Sequence, residues 1–394
     1  MVNTKSLPMV MFLGLFLVAC SSTHTLENRV TKDNYRAVTL ASNEVDVASE
    51  PYRVWSDDAS DFLFNAEDGT TPLKVSGERL NILALSGGGA KGAFGAGIIN
   101  GLYESDQLED YTIITGVSAG SLIAPFVFVG GEEIPRLKQV MLGLNDKMIL
   151  GKRNFLNTLF KDAFTNGEKM FDFIEQVYTS EMIEQIAEQH RAGRRLFIGT
   201  THFDSEEQVV WNLGRIADSH LPNKEHLIHQ ILAASASIPG VFPPQFIEVE
   251  YDNQRLEELH VDGGLTKQMF FEVVNIDYRK LNKALGLTTK PQVHVIRNGL
   301  LKMPYEPVED KGVKLLTRSL TSMTTLQAKG DLYRMLYFSE MNGLDLTFAY
   351  VDDEFNPPKA TKDMFDFEYM KALYLYGHDK ANSNELWSTE VPKG

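Results

Sequence analysis

The sequence predicts an α/β fold whose central sheet is mostly parallel and is covered by helices on both faces. Short apolar runs of strand length, such as residues 80–85 (LNILAL), alternate with segments of helical periodicity, such as residues 226–235. Strands that alternate with helices are typical of parallel sheets, in which each crossover helix packs back onto the sheet. The pattern continues from residue 80 without an internal repeat or a low-complexity stretch.

The predicted elements follow one another in a regular order. The first strand, residues 80–85, runs into glycines and is followed by a glycine-rich helix over residues 90–104. The second strand, residues 111–115, is closed by another glycine-containing turn, and the apolar residues 121–129 after it are expected to be helical. The remaining strands are predicted at residues 195–200, 208–213, 246–249, 258–261 and 292–297, and the remaining helices at residues 135–144, 169–190, 226–235, 315–341 and 367–376.

Composition and charge exclude several classes of protein. Of the 394 residues, 43% are apolar and 23% are charged, as in ordinary globular proteins, so neither wholesale disorder nor a multispanning membrane protein is expected. The formal net charge of -15 repels phosphate backbones, which makes nucleic acid a poor partner. Cys20 is the only cysteine, so the chain has no intramolecular disulfide and no cysteine-based zinc site.

The N-terminus has the pattern of a secretory signal. Residues 9–19 form a continuous apolar run that is too short to span a bilayer comfortably, and Lys5 is the only charged residue before Cys20. Residues 17–21 (LVACS) resemble the lipobox of bacterial lipoproteins. This resemblance implies a signal peptide over residues 1–19, cleavage before Cys20 and acylation of that cysteine. The alternatives are an uncleaved anchor and a plain secretory signal in which the cysteine is incidental.

A lipid-anchored chain would be held at the cell envelope. In bacterial lipoproteins, serine rather than aspartate after the acylated cysteine favours the outer membrane, and Ser21 follows Cys20 here. The resemblance therefore implies the outer membrane of a Gram-negative bacterium. Residues 20–55 are expected to be the lipidated cysteine and a tether, because most of them are polar and show no sustained periodicity.

Three consecutive glycines, Gly87, Gly88 and Gly89, stand at the junction of the first strand with the first helix. Such a loop can point successive backbone N–H groups at one place, and the helix N-terminus behind it adds partial positive charge, as in an anion site. A dinucleotide cofactor is one candidate occupant. The second strand, however, ends in Thr115 and Gly116 and lacks the acidic residue that would bind the ribose. The sequence therefore favours an oxyanion hole and predicts no cofactor.

A G-x-S-x-G motif follows the second strand directly, at residues 116–120 (GVSAG). Between a strand and a helix, this motif holds its serine on a strained turn so that the hydroxyl stands clear of the backbone. The glycine loop just upstream strengthens this interpretation. The sequence therefore favours Ser118 as a nucleophile over a serine that merely caps a helix.

A serine nucleophile needs a base, and the residues leave two alternatives. An α/β-hydrolase triad would take His294 or His378, which come after Ser118 in the chain. His294 alternates with apolar neighbours and is expected to be structural, whereas His378 is expected to be solvated in a polar tail. Asp262 stands at a predicted strand end before two glycines, which let a carboxylate approach another loop closely. An ordinary Asp-Gly turn is the other interpretation of that segment.

Three of these motifs occur in the order that is typical of patatin-like phospholipases and acyl hydrolases. Members of that family have a G-G-G-x-[KR]-G loop, a G-x-S-x-G turn soon after it and a later D-G-[GA]. The corresponding segments are residues 87–92, 116–120 and 262–264. Residues 199–211 and 233–244 are similar to a central hairpin and a proline-containing segment of the family. The chain thus resembles a bacterial patatin-like lipoprotein.

The resemblance implies a three-layer α/β/α fold and a lipid acyl hydrolase of the phospholipase or lysophospholipase type. Ser118 would be the nucleophile and Asp262 the base, and the backbone N–H groups of residues 87–89 would bind the oxyanion without a metal or a cofactor. The expected partners are a lipid or phospholipid ester and a membrane. The expected division is a catalytic domain at residues 80–297 and a mostly helical extension at residues 298–394 packed on it.

Two other functions stay open at this point. One is an α/β-hydrolase-type esterase with a Ser-His-Asp triad, and the other is a nucleotide-binding lipoprotein that uses the loop at residues 87–92. Lys91, within that loop, is either a phosphate contact or a solvated lysine in the first turn of the helix.

Overall fold

The computed structural model describes residues 28–40, 50–56, 62–150, 167–273, 276–355 and 357–392. The strands are β1 (Arg53–Trp55), β2 (Asn81–Leu85), β3 (Ile113–Val117), β4 (Arg195–His202), β5 (Glu207–Asn212), β6 (Gln245–Tyr251), β7 (Gln254–Asp262), β8 (Gln292–Ile296) and β9 (Asp345–Ala349). The helices are α1 (Gly92–Glu104), α2 (Ala119–Val129), α3 (Glu133–Gly143), α4 (Asp146–Ile149), α5 (Glu168–Val177), α6 (Ser180–Arg191), α7 (Leu213–Ala217), α8 (Lys224–Ser235), α9 (Tyr278–Ala284), α10 (Gly312–Asn342) and α11 (Phe367–Ala381).

The strands form one nine-stranded sheet that brings two distant turns to the same edge. Its order is β1-β5-β4-β3-β2-β8-β9, and the β6–β7 hairpin joins it at β4. The five strands from β4 to β9 along this path are parallel. Leu85 of β2 lies beside Gly116 of β3, so the turns after these strands are neighbours. β7 runs antiparallel to β4 and pairs Asp262 with Thr200, next to the end of β3.

Each face of the sheet carries its own core. Leu83 and Leu85 of β2 belong to a large buried cluster that includes residues of α1, α2 and α8. Ile82 and Ala84, which point the other way, belong to a second cluster that includes residues of α9 and α10. A strand that is buried on both faces reads as a continuous apolar run, which is why this strand was recognisable in the sequence. The predicted α/β fold with helices on both faces is confirmed.

Part of the predicted tether, residues 20–55, lies on the domain. Val30 and Val38 pack in a small buried cluster with residues of β6 and β7. β1, near the end of the segment, pairs antiparallel with β5. These contacts use apolar side chains that are too widely spaced to show periodicity, so the sequence did not indicate them. Residues 20–27 and 41–49 lie outside the described residues.

The chain after residue 297 contributes to the sheet as well as to the helical layers. β9 extends the sheet beyond β8 in parallel register. The sequence did not indicate this strand, because its five residues (DLTFA) include polar ones and lack a continuous apolar run. Within the described ranges, no helix combines the length and apolar character needed to cross a bilayer. The division of the chain at residues 297 and 298 stays a prediction.

One predicted helix is divided in two. The sequence predicts a single helix over residues 169–190, but the structure has α5 and α6 with a break between them. At the break, Thr179 caps the N-terminus of α6, where its side-chain oxygen accepts a hydrogen bond from the Met182 N–H at 3.4 Å.

Helix α11 crosses α1 with the two backbones in contact. A Cβ atom at Gly97 would lie 2.1 Å from the carbonyl oxygen of Tyr374, and one at Gly377 would lie 2.2 Å from that of Phe94. Only glycine permits such an approach, because any side chain at these positions would meet backbone atoms that cannot move aside. Since α1 starts just behind the glycine loop, α11 helps to fix the helix on which that loop depends.

Gly97→Ala is therefore expected to destabilise the fold by about 1–3 kcal/mol, the range typical of overpacking. The matched control is Gly330→Ala in α10, where a Cβ atom meets nothing within 4 Å. Alanine is the better helix former by up to about 1 kcal/mol, so the control should gain stability. Urea unfolding followed by circular dichroism measures both changes, and equal stability of the two variants would contradict the close crossing.

Candidate active site

The turn between β3 and α2 places Ser118 at the edge of the sheet. Its φ of 52° and ψ of -123° lie outside the regions that residues with a Cβ atom favour, as expected for a strained nucleophile turn. Glycine on the helical side permits this turn, because a Cβ atom at Gly120 would lie 2.2 Å from the carbonyl oxygen of Leu85. The Ser118 N–H donates to Ser235 Oγ at 3.0 Å, which fixes the turn against α8.

Ser118 and Asp262 are in direct contact, although 144 residues separate them in the chain. Ser118 Oγ donates a hydrogen bond to Asp262 Oδ2 at 2.7 Å. The other carboxylate oxygen, Oδ1, accepts the N–H of Gly264 at 2.7 Å. Ser118 and Asp262 are each only 6% exposed. Two hydrogen bonds thus hold the carboxylate with one oxygen aimed at the serine hydroxyl.

Burial determines the proton affinity of Asp262. Removal from water disfavours the charged carboxylate and raises the pKa of Asp262 to about 6, while the hydrogen bonds from Ser118 and Gly264 act in the opposite direction. A carboxylate with this pKa is still mostly ionised at neutral pH. It is also a stronger proton acceptor than a surface aspartate, whose pKa is near ~3.9.

The glycine loop lies against the serine. A Cβ atom at Gly87 would lie 3.8 Å from Ser118 Oγ. The structure changes one part of the predicted oxyanion hole, because the Gly87 N–H already donates to the carbonyl oxygen of Gln268 at 3.0 Å. That leaves the N–H groups of Gly88 and Gly89 as the candidate donors. Gly89 has a φ of +55°, a conformation that favours glycine and turns the chain into the helix behind it.

Two buried residues that the sequence analysis did not identify hold this loop in place. Arg297 donates from Nη1 to the carbonyl oxygen of Gly87 at 2.9 Å. Asn298 donates from Nδ2 to the carbonyl oxygen of Ser86 at 2.8 Å, and its Oδ1 accepts the Gly95 N–H at 3.0 Å. Burial lowers the pKa of Arg297 to about 10, so the guanidinium is still charged at neutral pH.

A sequence signal for these two residues did exist. Arg297 is the last residue of the predicted strand at residues 292–297, and Asn298 follows it directly. Polar residues at the carboxyl ends of parallel strands are where α/β proteins place their binding groups. The signal was not usable because the sequence did not show that β8 lies next to β2, which carries the glycine loop.

An apolar cavity of about 60 Å³ opens beside Ser118. We call it the apolar cavity. Its walls come from α2, α3, α4, α5, the segment after α8 and the segment before α11, and they include Leu122, Met141, Ile149, Met170, Phe173 and Phe365. The Met364 and Phe365 N–H groups donate to the Asp146 carboxylate at 3.1 and 2.8 Å, which ties the segment before α11 to α4. The cavity can take an apolar group attached to whatever reacts at Ser118.

The structure places both candidate histidines away from Ser118. His294 is buried in β8, where its Nδ1 is 2.9 Å from the Tyr111 hydroxyl oxygen and its ring stacks on Trp387, as expected for a structural residue. His378 is not in a polar tail, because α11 continues through it. Its Nε2 lies 2.8 Å from a carboxylate oxygen of Glu104, which keeps the side chain half-buried.

Lys91 is half-buried rather than solvated. It ends the 3-10 turn Gly89–Lys91 ahead of α1 and lines a second, more polar pocket of about 370 Å³. Burial and the nearby charges of Arg297 and Lys359 lower the pKa of Lys91 to about 8. A phosphate contact at Lys91 stays a prediction. Cys20 lies outside the described residues, and within those residues no cluster of acidic, histidine or cysteine side chains could hold a metal ion.

Comparison with known proteins relates part of the chain to a known family. Residues 83–274 match the family described as patatin-like phospholipase. These residues, just under half of the chain, are similar to members of that family, and we call them the patatin-like domain. The match covers the end of β2 with the glycine loop, the Ser118 turn and Asp262.

The relatives of this patatin-like domain are distant. Triacylglycerol lipase 4 of Saccharomyces cerevisiae is 33% identical over 66% of this chain and 29% of its own length. An uncharacterized protein of Acanthamoeba polyphaga mimivirus is 25% identical over 56% of this chain and 69% of its own length. The crystal structure of VipD from Legionella pneumophila aligns with a TM-score of 0.39 and 14% identity over 77% of this chain and 67% of that chain. The chain spans less than a third of the yeast relative.

The geometry of the patatin-like domain predicts how the reactivity of Ser118 depends on pH. Ser118 should react with a fluorophosphonate probe only while Asp262 is ionised, so the labelling rate should fall as the pH drops through about 6. Asp262→Asn keeps the shape but cannot accept the proton, so its labelling should be slow and independent of pH. Labelling is followed by mass spectrometry of the modified peptide. A profile centred near 4, or probe attached to another serine, would contradict the pairing.

Proposed function

We propose that this chain hydrolyses carboxylic esters of lipids, with Ser118 as the nucleophile and Asp262 as the general base, in a phospholipase or lysophospholipase type of reaction. The observation that carries the proposal is the 2.7 Å hydrogen bond from Ser118 Oγ to Asp262 Oδ2 in a buried site. The family of the domain and the name of the yeast relative, a triacylglycerol lipase, support a lipid ester as the substrate class.

In the acylation half of the proposed reaction, Ser118 Oγ bonds to the ester carbonyl carbon while its proton passes to Asp262. The carbonyl oxygen becomes an oxyanion and accepts hydrogen bonds from the Gly88 and Gly89 N–H groups. When the tetrahedral species collapses, the bond from the carbonyl carbon to the alcohol oxygen breaks. Asp262 returns the proton to that oxygen, and the alcohol or lysolipid leaves an acyl-enzyme behind.

In the deacylation half, a water molecule takes the place of the departed alcohol. Asp262 removes a proton from the water as its oxygen bonds to the acyl carbon. The second tetrahedral species collapses with breakage of the bond to Ser118 Oγ, and the proton held by Asp262 returns to that oxygen. The fatty acid leaves, and the hydrogen bond between the two side chains is restored.

The electrostatic surroundings suit this reaction. The raised pKa of Asp262, about 6, makes the carboxylate a competent base near neutral pH. Negative charge that develops on the substrate oxygen would face loop N–H groups and the N-terminus of α1. The buried guanidinium of Arg297 donates a hydrogen bond to the Gly87 carbonyl oxygen, so the loop is held in position before substrate arrives.

Envelope localisation is part of the proposal and depends on the sequence alone. We propose that Cys20 is acylated after cleavage of residues 1–19 and that the chain is anchored at the outer membrane of a Gram-negative bacterium. The support is the position of the single cysteine at the end of an apolar run, in a segment that resembles a lipobox. Such an anchor would keep the domain beside phospholipid.

Ser118→Ala is expected to lower kcat/KM for ester cleavage by a factor on the order of 10⁴ or more, because nucleophile and base act as a unit. Asp262→Asn should lose a comparable amount. Release of fatty acid from mixed phospholipids, measured by mass spectrometry, compares the variants with the wild type. His378→Ala is the control and should stay active, since its ring contacts Glu104 and not Ser118. A natively folded but inactive His378→Ala would favour a triad instead.

The apolar cavity is expected to receive the acyl chain and to limit its length. Phe365→Ala should enlarge the cavity and shift the preference towards longer acyl chains by roughly tenfold in the ratio of kcat/KM values. Phe367→Ala is the matched control, because Phe367 is 48% exposed and does not line the cavity. A series of p-nitrophenyl esters from butyrate to palmitate measures the preference. An unchanged profile in Phe365→Ala would place the acyl chain elsewhere.

A further inference from the structure

The longest described helix carries a row of exposed apolar side chains along its whole length. α10 has 31 residues, and the large apolar residues on its outer side are between 48% and 66% exposed. We call this row the α10 stripe. It consists of Leu315, Leu316, Leu320, Met323, Leu326, Tyr333, Tyr337 and Met341. Monomeric proteins rarely leave contiguous apolar surface of this kind in water, so the stripe indicates a contact surface.

Few of the described residues pack against the first half of α10. Residues 314–324 are exposed or half-buried, and the buried face begins only at Thr325 and continues through Ala328 and Leu332. Helices in proteins gain most of their stability from packing an apolar face, and an unpacked helix of this length is marginal in water. Within the described ranges, the leucines in the first half of α10 are therefore left largely exposed.

The charge of the helix differs in sign from the charge of the chain. The chain carries a formal charge of -15. The basic residues of α10 are Lys314, Arg318, Lys329 and Arg334, and the acidic ones are Asp331 and Glu340. Arg334 pairs with Asp331 at 3.0 Å, and Arg318 pairs with Glu306 at 3.2 Å. The charges of α10 that remain are those of Lys314, Lys329 and Glu340, so the helix lacks the strong negative charge of the chain. Burial of the apolar row would therefore supply most of its attraction to a lipid interface.

The α10 stripe lies next to the catalytic loops. Gln327 Nε2 donates to the carbonyl oxygen of Leu265 at 3.2 Å. Leu265 closes the turn that begins at Asp262, and its side chain is itself 48% exposed. Towards the other end of the helix, Thr317 and Arg318 line the polar pocket that includes Lys91. A lipid surface on the stripe would thus lie beside both loops of the candidate active site.

We propose that α10 is an interfacial helix that binds the surface of a zwitterionic phospholipid bilayer through the α10 stripe. A second copy of the chain is a less suitable occupant, because two chains that each carry a charge of -15 repel each other, whereas a zwitterionic bilayer carries no net charge. The inference rests on the proposed function for its biological sense, since a lipid hydrolase must meet its substrate at a membrane. It concerns binding rather than hydrolysis, and it is separate from the predicted anchor at Cys20.

Vesicle binding tests the inference without the anchor. The chain from residue 20 with Cys20→Ser retains every described residue and cannot be acylated there. It should co-sediment with vesicles of phosphatidylcholine, and more weakly with vesicles that also contain phosphatidylglycerol, whose negative charge repels a chain with a charge of -15. Adding Leu316→Ser, Leu320→Ser and Met323→Ser should reduce the partition coefficient by roughly tenfold or more, because the buried methylene groups supply most of the interfacial binding.

The matched control is Leu375→Ser, which changes a side chain that is 48% exposed on α11 and should leave vesicle binding unchanged. Cleavage of a water-soluble short-chain ester should be the same in all variants, so loss of vesicle binding with retained cleavage separates this inference from the proposed function. Wild-type vesicle binding by the triple variant would overturn the proposal. Light scattering that shows a dimer in the parent chain and a monomer in the triple variant would also overturn it and assign the α10 stripe to self-association.

Discussion

The hydrogen bond between Ser118 and Asp262 depends on three stretches of backbone that approach one another without side chains between them. A Cβ atom at Gly87 would lie 3.2 Å from that of Ser118, and one at Gly263 would lie 2.2 Å from the carbonyl oxygen of Gly199. The glycines of the three motifs thus have a common physical role. They let a loop, a turn and a strand end meet at one point at the edge of the sheet.

The same site makes the folded state less stable than it could be. Ser118 occupies a strained backbone conformation, and Asp262 is buried with a pKa of about 6 instead of 3.8. The folded state binds the Asp262 proton more tightly than the unfolded state does. Proton binding by Asp262 therefore contributes its full stabilisation of the folded state below pH 3.8. The contribution is lost as the pH rises through about 6, a difference on the order of 3 kcal/mol. The two buried cores on either side of the sheet offset this loss.

The sequence predicted those parts of the molecule that depend on local patterns. Continuous apolar runs revealed β2 and β3, and the motif glycines revealed the turns that bear Ser118 and Asp262. The sequence did not reveal features that depend on which strands are neighbours. Arg297 reaches the glycine loop only because β8 lies beside β2, and the Gly87 N–H is occupied only because the segment at Gln268 passes next to it. Neither adjacency has a signature along the chain.

The chain after residue 297 is part of the site's framework. β9 lies beside β8, and the Ala349 carbonyl oxygen accepts a hydrogen bond from the Arg297 N–H at 2.8 Å. This contact positions Arg297, whose side chain donates to the glycine loop. The segment before α11 forms one wall of the apolar cavity, and α11 itself packs against α1 at Gly377. Because α1 begins where the glycine loop ends, this packing also supports the loop that carries the N–H groups of Gly88 and Gly89. The last hundred residues therefore support the geometry of the candidate active site, even though none of the described ones among them contacts Ser118 Oγ through a hydrogen bond.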